Sequence, residues 1–397
     1  MSRPSEPIVL VLGMMGRAPF AGVGWQVLHY LEGLRGLGCD VYYIEDTGEW
    51  PYDPEQNAVT DDCRYTTGYI GRLMAWCGLP DRWAYVAAAQ GGRAFGPAGP
   101  RIGELLARAD ALVNLTGATV LHDELLRVPV RIFLETDPVL PQIEVAQGRH
   151  FTIDQLAAHT HRFSFGENFG APDCGVPLGR FDYFPTRQPI VLDWWDPARV
   201  PTPPPHADDR FTTVGSWKQS GKDVEWGGEI YHWSKHHEFL KFLDLPRLAA
   251  RPFEMALACD DREVIGMLNG HGWRVVDALA LSKDILPYRD YILGSRGEFT
   301  VAKDQNIRLR SGWFSDRSAS YLAAGKPVIT QDTGFGNLLP TGRGLFAFRT
   351  MDDVLAALDA IETDYDGHGR AAREIAAEYF GAEAVIRSLL GRAGVAA

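Results

Sequence analysis

Short apolar runs alternate with longer amphipathic stretches along the first half of the chain. The runs with the length of buried strands are Ile8–Leu12, 41–44, 111–113 and 131–134. Between the first two runs, Val27, Leu28, Leu31 and Leu34 recur at helical spacing. Strands that alternate with helices in this way predict βαβ units and a mostly parallel sheet.

The same alternation returns in the second half. It predicts strands at 211–214, 253–257, 274–276, 298–301 and 328–330, and then two or three alanine-rich amphipathic helices across 351–390. The proline-rich stretch PARVPTPPPHADD at 197–209 predicts a linker. We therefore predict an α/β protein with two Rossmann-like domains, 1–196 and 210–375, whose parallel sheets face an interdomain cleft. Ligands of such sheets lie beyond the carboxyl ends of the strands.

Composition narrows the class of protein. A chain of 397 residues with 46% hydrophobic residues and 11 tryptophans is long enough for two well-packed domains. A formal charge of −12 argues against general nucleic-acid binding, which needs a basic surface. The five cysteines have no CxxC spacing, which favours reduced cytosolic thiols over disulfides or a zinc site. The first apolar run is too short to span a bilayer, so we expect no membrane segment and a cytoplasmic location.

The stretch SGWFSDRSASYLAAGKPVITQDTG at 311–334 is the most informative part of the sequence. A polar turn leads into a helix, whose free N–H groups form an anion site, and a carboxylate follows the next strand. This pattern predicts a nucleotide-sugar site, with Asp316 equally suited to capping the helix. The predicted donor-binding residues here are Ser311, Gly312, Trp313, Phe314, Ser315, Asp332, Thr333 and Gly334. Lys303 and Arg310, just before the turn, are expected to bind phosphate, unless they belong to a solvated basic face.

Two further turns are candidates for donor binding. Gly22 and Gly24 belong to a glycine-rich loop at 13–25, which would let backbone amides approach a ligand. This loop lacks the third glycine of a dinucleotide fingerprint, and an ordinary tight turn is the alternative. Ser216, Trp217 and Lys218 follow the first strand of the second half, where the lysine would offset phosphate charge or remain on the solvated surface.

Carboxylates and histidines supply the candidates for catalysis. Glu135 and Asp137 follow the strand at 131–134, where a general base would reach a substrate hydroxyl; a helix cap or turn is the alternative for Asp137. His232 and His236 have the i, i+4 spacing that metals use, but a third ligand is not evident, and a substrate-contacting or surface face is favoured over a metal site. Neither a GxSxG elbow nor a Walker loop occurs.

Taken together, these motifs resemble those of bacterial GT-B glycosyltransferases, in particular actinobacterial enzymes of natural-product type. The resemblance is carried by Thr136-Asp137-Pro138, GENFGAPDC at 166–174, Ser216-Trp217-Lys218, and the stretch from Lys303 to residue 335. It implies a donor site in the second domain, an acceptor site facing the first, no metal or other cofactor, and a last helix at 376–397 that crosses back to the first domain. Glu167, Asn168 and His232 are the acceptor-binding candidates.

One departure from the family pattern bears on mechanism. Many retaining GT-B enzymes carry two glutamates eight residues apart, and this chain has Gly312 and Ser320 there. A retaining mechanism therefore loses its main support, and Asp137 is the candidate base of an inverting one. We predict transfer of a sugar from a UDP- or dTDP-sugar to a small-molecule acceptor by a monomer or homodimer, in secondary metabolism. The alternatives are a nucleotide-sugar 2-epimerase, a non-catalytic nucleotide-binding partner of another transferase and, more remotely, a dinucleotide oxidoreductase.

Overall fold

The computed structural model of the protein describes residues 6–200 and 209–396, so most of the predicted linker at 197–209 lies outside the described residues. The described chain forms two α/β units, each built on one large sheet. The prediction of two parallel α/β halves is confirmed by this architecture.

The first unit contains an eight-stranded sheet in the order β10-β9-β8-β7-β1-β2-β5-β6, in which only β6 runs antiparallel to its neighbour. Its strands are β1 (Ile8–Leu12), β2 (Asp40–Glu45), β3 (Tyr52–Asp53), β4 (Ala58–Val59), β5 (Trp83–Ala87), β6 (Arg93–Phe95), β7 (Ala111–Leu115), β8 (Val130–Glu135), β9 (His161–Ser164) and β10 (Phe184–Pro185). Its helices are α1 (Ala21–Gly36), α2 (Arg64–Trp76), α3 (Ile102–Arg108), α4 (Leu140–Ala146) and α5 (His150–Ala157). Strands β3 and β4 form a separate hairpin.

The second unit contains a six-stranded parallel sheet in the order β15-β14-β11-β16-β17-β18. Its strands, with the separate hairpin β12–β13, are β11 (Phe211–Ser216), β12 (Val224–Trp226), β13 (Glu229–Tyr231), β14 (Phe253–Ala258), β15 (Trp273–Asp277), β16 (Gly297–Thr300), β17 (Val328–Gln331) and β18 (Leu345–Phe348). The helices are α6 (His236–Phe239), α7 (Leu245–Ala249), α8 (Arg262–Gly270), α9 (Ala278–Ser282), α10 (Ile285–Leu293), α11 (Asp304–Arg308), α12 (Asp316–Ala323), α13 (Met351–Thr363), α14 (Tyr365–Ile375) and α15 (Ala382–Arg392).

The strand order of each sheet reverses at its first strand. β1 lies between β2 and β7, and β11 lies between β14 and β16. Where two adjacent strands connect onward in opposite directions along the sheet, the helices that follow them lie on opposite faces of the sheet. A crevice then opens between them at the carboxyl ends of the strands. Every residue of β1 is buried, as expected for a parallel strand covered on both faces. The topology therefore places the best ligand position of the second unit at the ends of β11 and β16.

The end of the chain packs on the first unit. The N–H of Ile190 donates to the carbonyl of Phe380 (2.7 Å), and the N–H of Ala382 donates to the carbonyl of Ile190 (3.0 Å). Helix α15 then lies against α1 so closely that a Cβ on Gly33 would sit 2.4 Å from Ile386. The last helix thus ties the two units together. Within residues 6–200 and 209–396, the helices are too short or too polar to cross a membrane.

Candidate active site

A cavity of about 220 Å³ lies between the two units at the position that the topology favours. One wall is formed by the ends of β11 and β16 and the start of α12, and Asp137, which follows β8, lies on the other. Its lining includes five of the residues predicted from the sequence: Asp137, Ser216, Lys303, Trp313 and Ser315. It also includes residues that the sequence analysis did not select: Thr213, Gln219, Lys235, Thr300 and Arg317, as well as Asp316, which was considered only as a cap.

Lys303 is the cation that joins the two walls. Its Nζ lies 2.6 Å from Oδ1 of Asp137, in an ion pair that crosses from one unit to the other. The same ammonium lies 3.1 Å from the centre of the Trp233 ring, a cation–π contact. Burial lowers the pKa of Lys303, while the carboxylate of Asp137 acts in the opposite direction. A sequence candidate for phosphate binding and the sequence candidate for the catalytic base are therefore in direct contact.

Lys235 is a cavity residue that sequence reasoning missed. Its Nζ lies 5.0 Å from the centre of the Trp313 ring. Within the part of the chain that the structure describes, its ammonium forms no ion pair with a carboxylate. Burial, together with the neighbouring Arg317 and Lys303, lowers the pKa of Lys235 to about 7, although the carboxylates of Glu298 and Asp137 act in the opposite direction. The cavity thus contains an ammonium that is not paired directly with a carboxylate of the described residues, a setting that favours an anionic ligand.

The start of α12 completes this wall. Ser315 is the N-cap residue and Asp316 the first helical residue, so Asp316 is not the cap. Burial raises the pKa of Asp316, whose Oδ1 accepts a hydrogen bond from the N–H of Arg317 (2.9 Å). The guanidinium of Arg317 donates to Glu298 (2.5 Å) and to Thr300 Oγ1 (2.8 Å). These bonds hold the helix start against β16, and Ser315, Asp316 and Arg317 line the cavity there.

Glu135, the other predicted catalytic carboxylate, lies behind the cavity wall. It is only 3% exposed and accepts hydrogen bonds from Gln142 (2.8 and 3.0 Å) and from the hydroxyl of Ser164. Burial raises its pKa to about 7. Gln142 in turn accepts from the N–H of Val139, whose φ is +92°. Glu135 therefore holds the loop that carries Asp137 rather than facing the cavity.

Several predicted donor residues instead join the two units outside the cavity. Arg310 donates to Asp173 of the first unit (2.7 Å) and to Asp332 of the second (3.0 Å). Asp332 also accepts from Arg349 at 2.6 and 2.9 Å, so its carboxylate is already engaged by two arginines. Asn168, predicted to bind acceptor, donates to the carbonyl of Arg310 (2.9 Å). These charges satisfy one another, which leaves them poorly placed to hold a sugar.

The remaining residues of the 311–334 stretch support this contact. Gly312 has φ +81°, and a Cβ there would lie 2.4 Å from the backbone N of Asn168. Gly334, with φ +94°, approaches the same asparagine side chain. The others are buried and bonded within the protein: Ser311 donates to Asn306 (2.7 Å), Thr333 to the carbonyl of Trp313 (2.6 Å), and Phe314 packs on Phe335 and Phe380.

The glycine-rich loop is shorter than the sequence indicated. Helix α1 begins at Ala21, so Gly22 and Gly24 are helical and do not form a loop that presents amides. A Cβ on Gly24 would lie 2.7 Å from Leu73, which accounts for a glycine in packing terms. The loop that remains binds the protein's own carboxylate: Glu45 accepts from the N–H groups of Gly16 (2.6 Å) and Arg17 (2.8 Å). The anion site formed by these amides in the first unit is therefore occupied by the protein's own Glu45.

The other predicted residues lie outside the cavity lining. Trp217 is buried against Phe239, and Lys218 is exposed beside it. His232 pairs with Asp223 (3.1 Å) and stacks on His237 with 4.2 Å between ring centres. Glu167 pairs with Arg187. Among the described residues, histidine, cysteine and carboxylate side chains form no cluster suited to a metal ion.

Comparison with known proteins identifies the fold. No protein-family model and no curated protein matches the sequence. Solved structures do match: HepE of Anabaena bound to UDP and glucose has a TM-score of 0.56 at 10% identity, covering 98% of this chain and 100% of that one. An alpha-glucosyltransferase bound to UDP and DNA has a TM-score of 0.58 at 10% identity, covering 98% and 100%. AviGT4, a glycosyltransferase of avilamycin A biosynthesis, has a TM-score of 0.53 at 13% identity, covering 98% and 97%.

These likenesses extend over both units of the chain. The protein therefore has the fold of GT-B glycosyltransferases, with two parallel α/β units that face each other across a cleft.

Proposed function

We propose that the protein is a glycosyltransferase that moves a sugar from a UDP- or dTDP-sugar to a small-molecule acceptor. The observation that carries this proposal is the interdomain cavity in which Lys235 and Lys303 lie beside the start of α12, opposite Asp137. Neighbours with the same fold were solved with UDP or UDP-glucose, which supports a nucleoside-diphosphate sugar as the donor.

The donor's diphosphate fits the positive side of this cavity. Lys235 forms no ion pair with a carboxylate of the described residues and would gain an anionic partner in the phosphate oxygens of the ligand. The amides at the start of α12 add the partial positive charge of a helix N-terminus. In a water-poor cavity such groups interact with phosphate far more strongly than they would in bulk water.

In the proposed reaction, the cavity wall with the two lysines stabilises the leaving diphosphate, and the wall with Asp137 provides the base. The acceptor oxygen bonds to the anomeric carbon while the bond from that carbon to the diphosphate oxygen breaks. The electron pair leaves with the diphosphate, where Lys235 and Lys303 offset its charge, and Asp137 accepts the proton of the acceptor hydroxyl. The absence of glutamates at Gly312 and Ser320 supports an inverting course. We propose that neither a metal nor another cofactor takes part.

A small acceptor is favoured by the charge of the protein. Some neighbours of this fold bind DNA, but a formal charge of −12 would repel a polyanion. AviGT4 is described as acting in antibiotic assembly, which supports a natural-product acceptor. We propose that the enzyme works in the cytoplasm, as its scattered cysteines suggest.

Binding of nucleotides by isothermal titration calorimetry tests the donor assignment. UDP or dTDP should bind, and Lys235→Met should weaken that binding by about tenfold, as expected for a desolvated charge contact. Lys218→Met is the matched control, because Lys218 is exposed and lies outside the cavity lining; its effect should stay below about twofold.

The other outcomes favour other functions. Binding of NAD alone, or of no nucleotide, would refute the proposal. Conversion of a nucleotide sugar to its C2 epimer without acceptor would favour the epimerase. Nucleotide binding with neither transfer nor epimerisation against a panel of acceptors would favour the non-catalytic partner.

A further inference from the structure

The proposed mechanism needs Lys303 and Asp137 for different partners, yet in the structure they bind each other. The distance from Nζ of Lys303 to Oδ1 of Asp137 is 2.6 Å, and the pair faces the cavity. The oxygen of Asp137 that holds the ammonium is not free to bind an acceptor hydroxyl, and a lysine paired with a carboxylate is a poorer phosphate ligand. Each residue therefore blocks the other while the pair persists.

The two partners are held very differently. The side chain of Lys303 is 8% exposed, and its ammonium lies against the ring of Trp233. That ring is fixed in turn, because its backbone N–H donates to Asp223 (2.8 Å) and its Nε1 to Gln219 (3.1 Å). The side chain of Asp137 is 43% exposed. The lysine is thus the fixed partner and the aspartate the one that is free to leave.

A diphosphate would compete with Asp137 for this lysine. The ring of Trp233 covers one side of the ammonium, so an anion must approach from the cavity side, where the carboxylate now lies. Two anions cannot share that approach without strong repulsion at low dielectric. Lys235 forms no ion pair with a carboxylate among the described residues, and Asp137 acts on it only at longer range, so the donor would displace no salt bridge from it.

We propose that Lys303 is a positioning residue that keeps Asp137 paired until the donor's diphosphate takes the lysine, so that the base becomes available only in the donor-loaded enzyme. This inference rests on the proposed function. Donor binding then frees Asp137 to accept the proton of the acceptor hydroxyl, and the donor should therefore bind before the acceptor.

The change in UDP affinity caused by Asp137→Asn tests this role, because competition predicts tighter binding whereas a merely structural role predicts no change or weaker binding. Asp137→Asn removes the competitor, so UDP should bind about three- to tenfold more tightly than to the wild type. Lys303→Met should weaken UDP binding, and Asp137→Asn in that background should give a clearly smaller gain, because Asp137 then acts only through its longer-range interaction with Lys235. Calorimetry with UDP measures all four proteins of this double-mutant cycle.

A matched control separates competition from a general change in charge. Glu225→Gln removes one negative charge from an exposed position of β12, outside the cavity lining, and should change UDP affinity by less than about twofold. A gain in Glu225→Gln as large as that in Asp137→Asn would overturn the inference.

The remaining outcomes distinguish this inference from the proposed function. If the wild type does not bind UDP or dTDP, the proposed function fails. If UDP binds but Asp137→Asn leaves its affinity unchanged or lowers it, only the coupling fails. A crystal structure with UDP gives the second measurement: Lys303 should contact a phosphate oxygen, with Asp137 beyond about 4 Å from its Nζ. An ion pair that persists beside bound UDP would overturn the coupling.

Discussion

The low pKa of Lys235 leads to a pH dependence of donor binding that can be calculated. In the empty cavity its pKa is about 7, because the ammonium is buried beside other cations. A bound diphosphate stabilises the ammonium and raises this pKa, so binding draws a proton onto Lys235 wherever the free protein has lost it. We therefore change the pH from 7 to 8 and follow the binding of UDP.

The magnitude follows from the titration of one group. With a pKa of about 7, Lys235 is about 50% protonated at pH 7 and about 10% protonated at pH 8. Binding at pH 8 should therefore take up about 0.9 proton, and the affinity should fall about fivefold between pH 7 and 8. The second phosphate pKa of UDP, near 6, adds little here because that group is already ionised.

Calorimetry at pH 8 in buffers of different ionisation enthalpy measures the proton uptake directly. Lys235→Met should abolish the uptake and most of the pH dependence, whereas Lys218→Met should retain both. An uptake near zero in the wild type would refute the argument, as would an equal uptake in Lys235→Met, because either result means that Lys235 does not change its protonation when the nucleotide binds.

Two further predictions concern the unfolding free energy. Gly312→Ala should lower the free energy of unfolding by more than about 2 kcal/mol, because a Cβ at φ +81° would collide with the backbone of Asn168. Gly22→Ala is the control and should not lower it by that much, because a Cβ there meets no atom within 4 Å. Thermal unfolding that shows Gly22→Ala to be the less stable variant would contradict this account. Since burial raises the pKa of Glu135 from 4.5 to about 7, its protonation favours the folded state. The stability of the wild type relative to Glu135→Gln should rise by about 2–3 kcal/mol as the pH falls from 7 to 4.5, and a pH-independent difference in chemical denaturation would exclude that pKa.

Much of the fold could be predicted because parallel strands are buried on both faces. The run at Ile8–Leu12 is continuously apolar and the run at 253–257 is apolar except for Glu254, so the strands and the polar residues at their carboxyl ends could be placed in order. Asp137 follows β8, Lys303 follows β16 and Ser216 ends β11, and all three line the cavity. Periodicity is a local signal, and it sufficed wherever the site is built from strand ends.

Lys235 escaped prediction for the opposite reason. It follows the hairpin β12–β13, which leaves the end of β11 and returns to it. The hairpin strands are three residues long, too short to give a periodic signal. The neighbouring histidines also offered a more conspicuous motif. Only the return of the chain in three dimensions shows that a lysine 19 residues beyond Ser216 shares its cavity.

The charges near the cleft show why residue type alone could not separate binding groups from structural ones. Arg310 and Lys303 each pair with an aspartate of the first unit, and both precede the same turn. Arg310 also bonds Asp332, so its guanidinium is satisfied on two sides and lies outside the cavity lining. Lys303 has one carboxylate, and that carboxylate is half-exposed and faces the cavity. A charge with two protein partners fastens the units, whereas a charge with one replaceable partner can exchange it for a ligand, and this difference is why we propose Lys303 rather than Arg310 as a phosphate ligand.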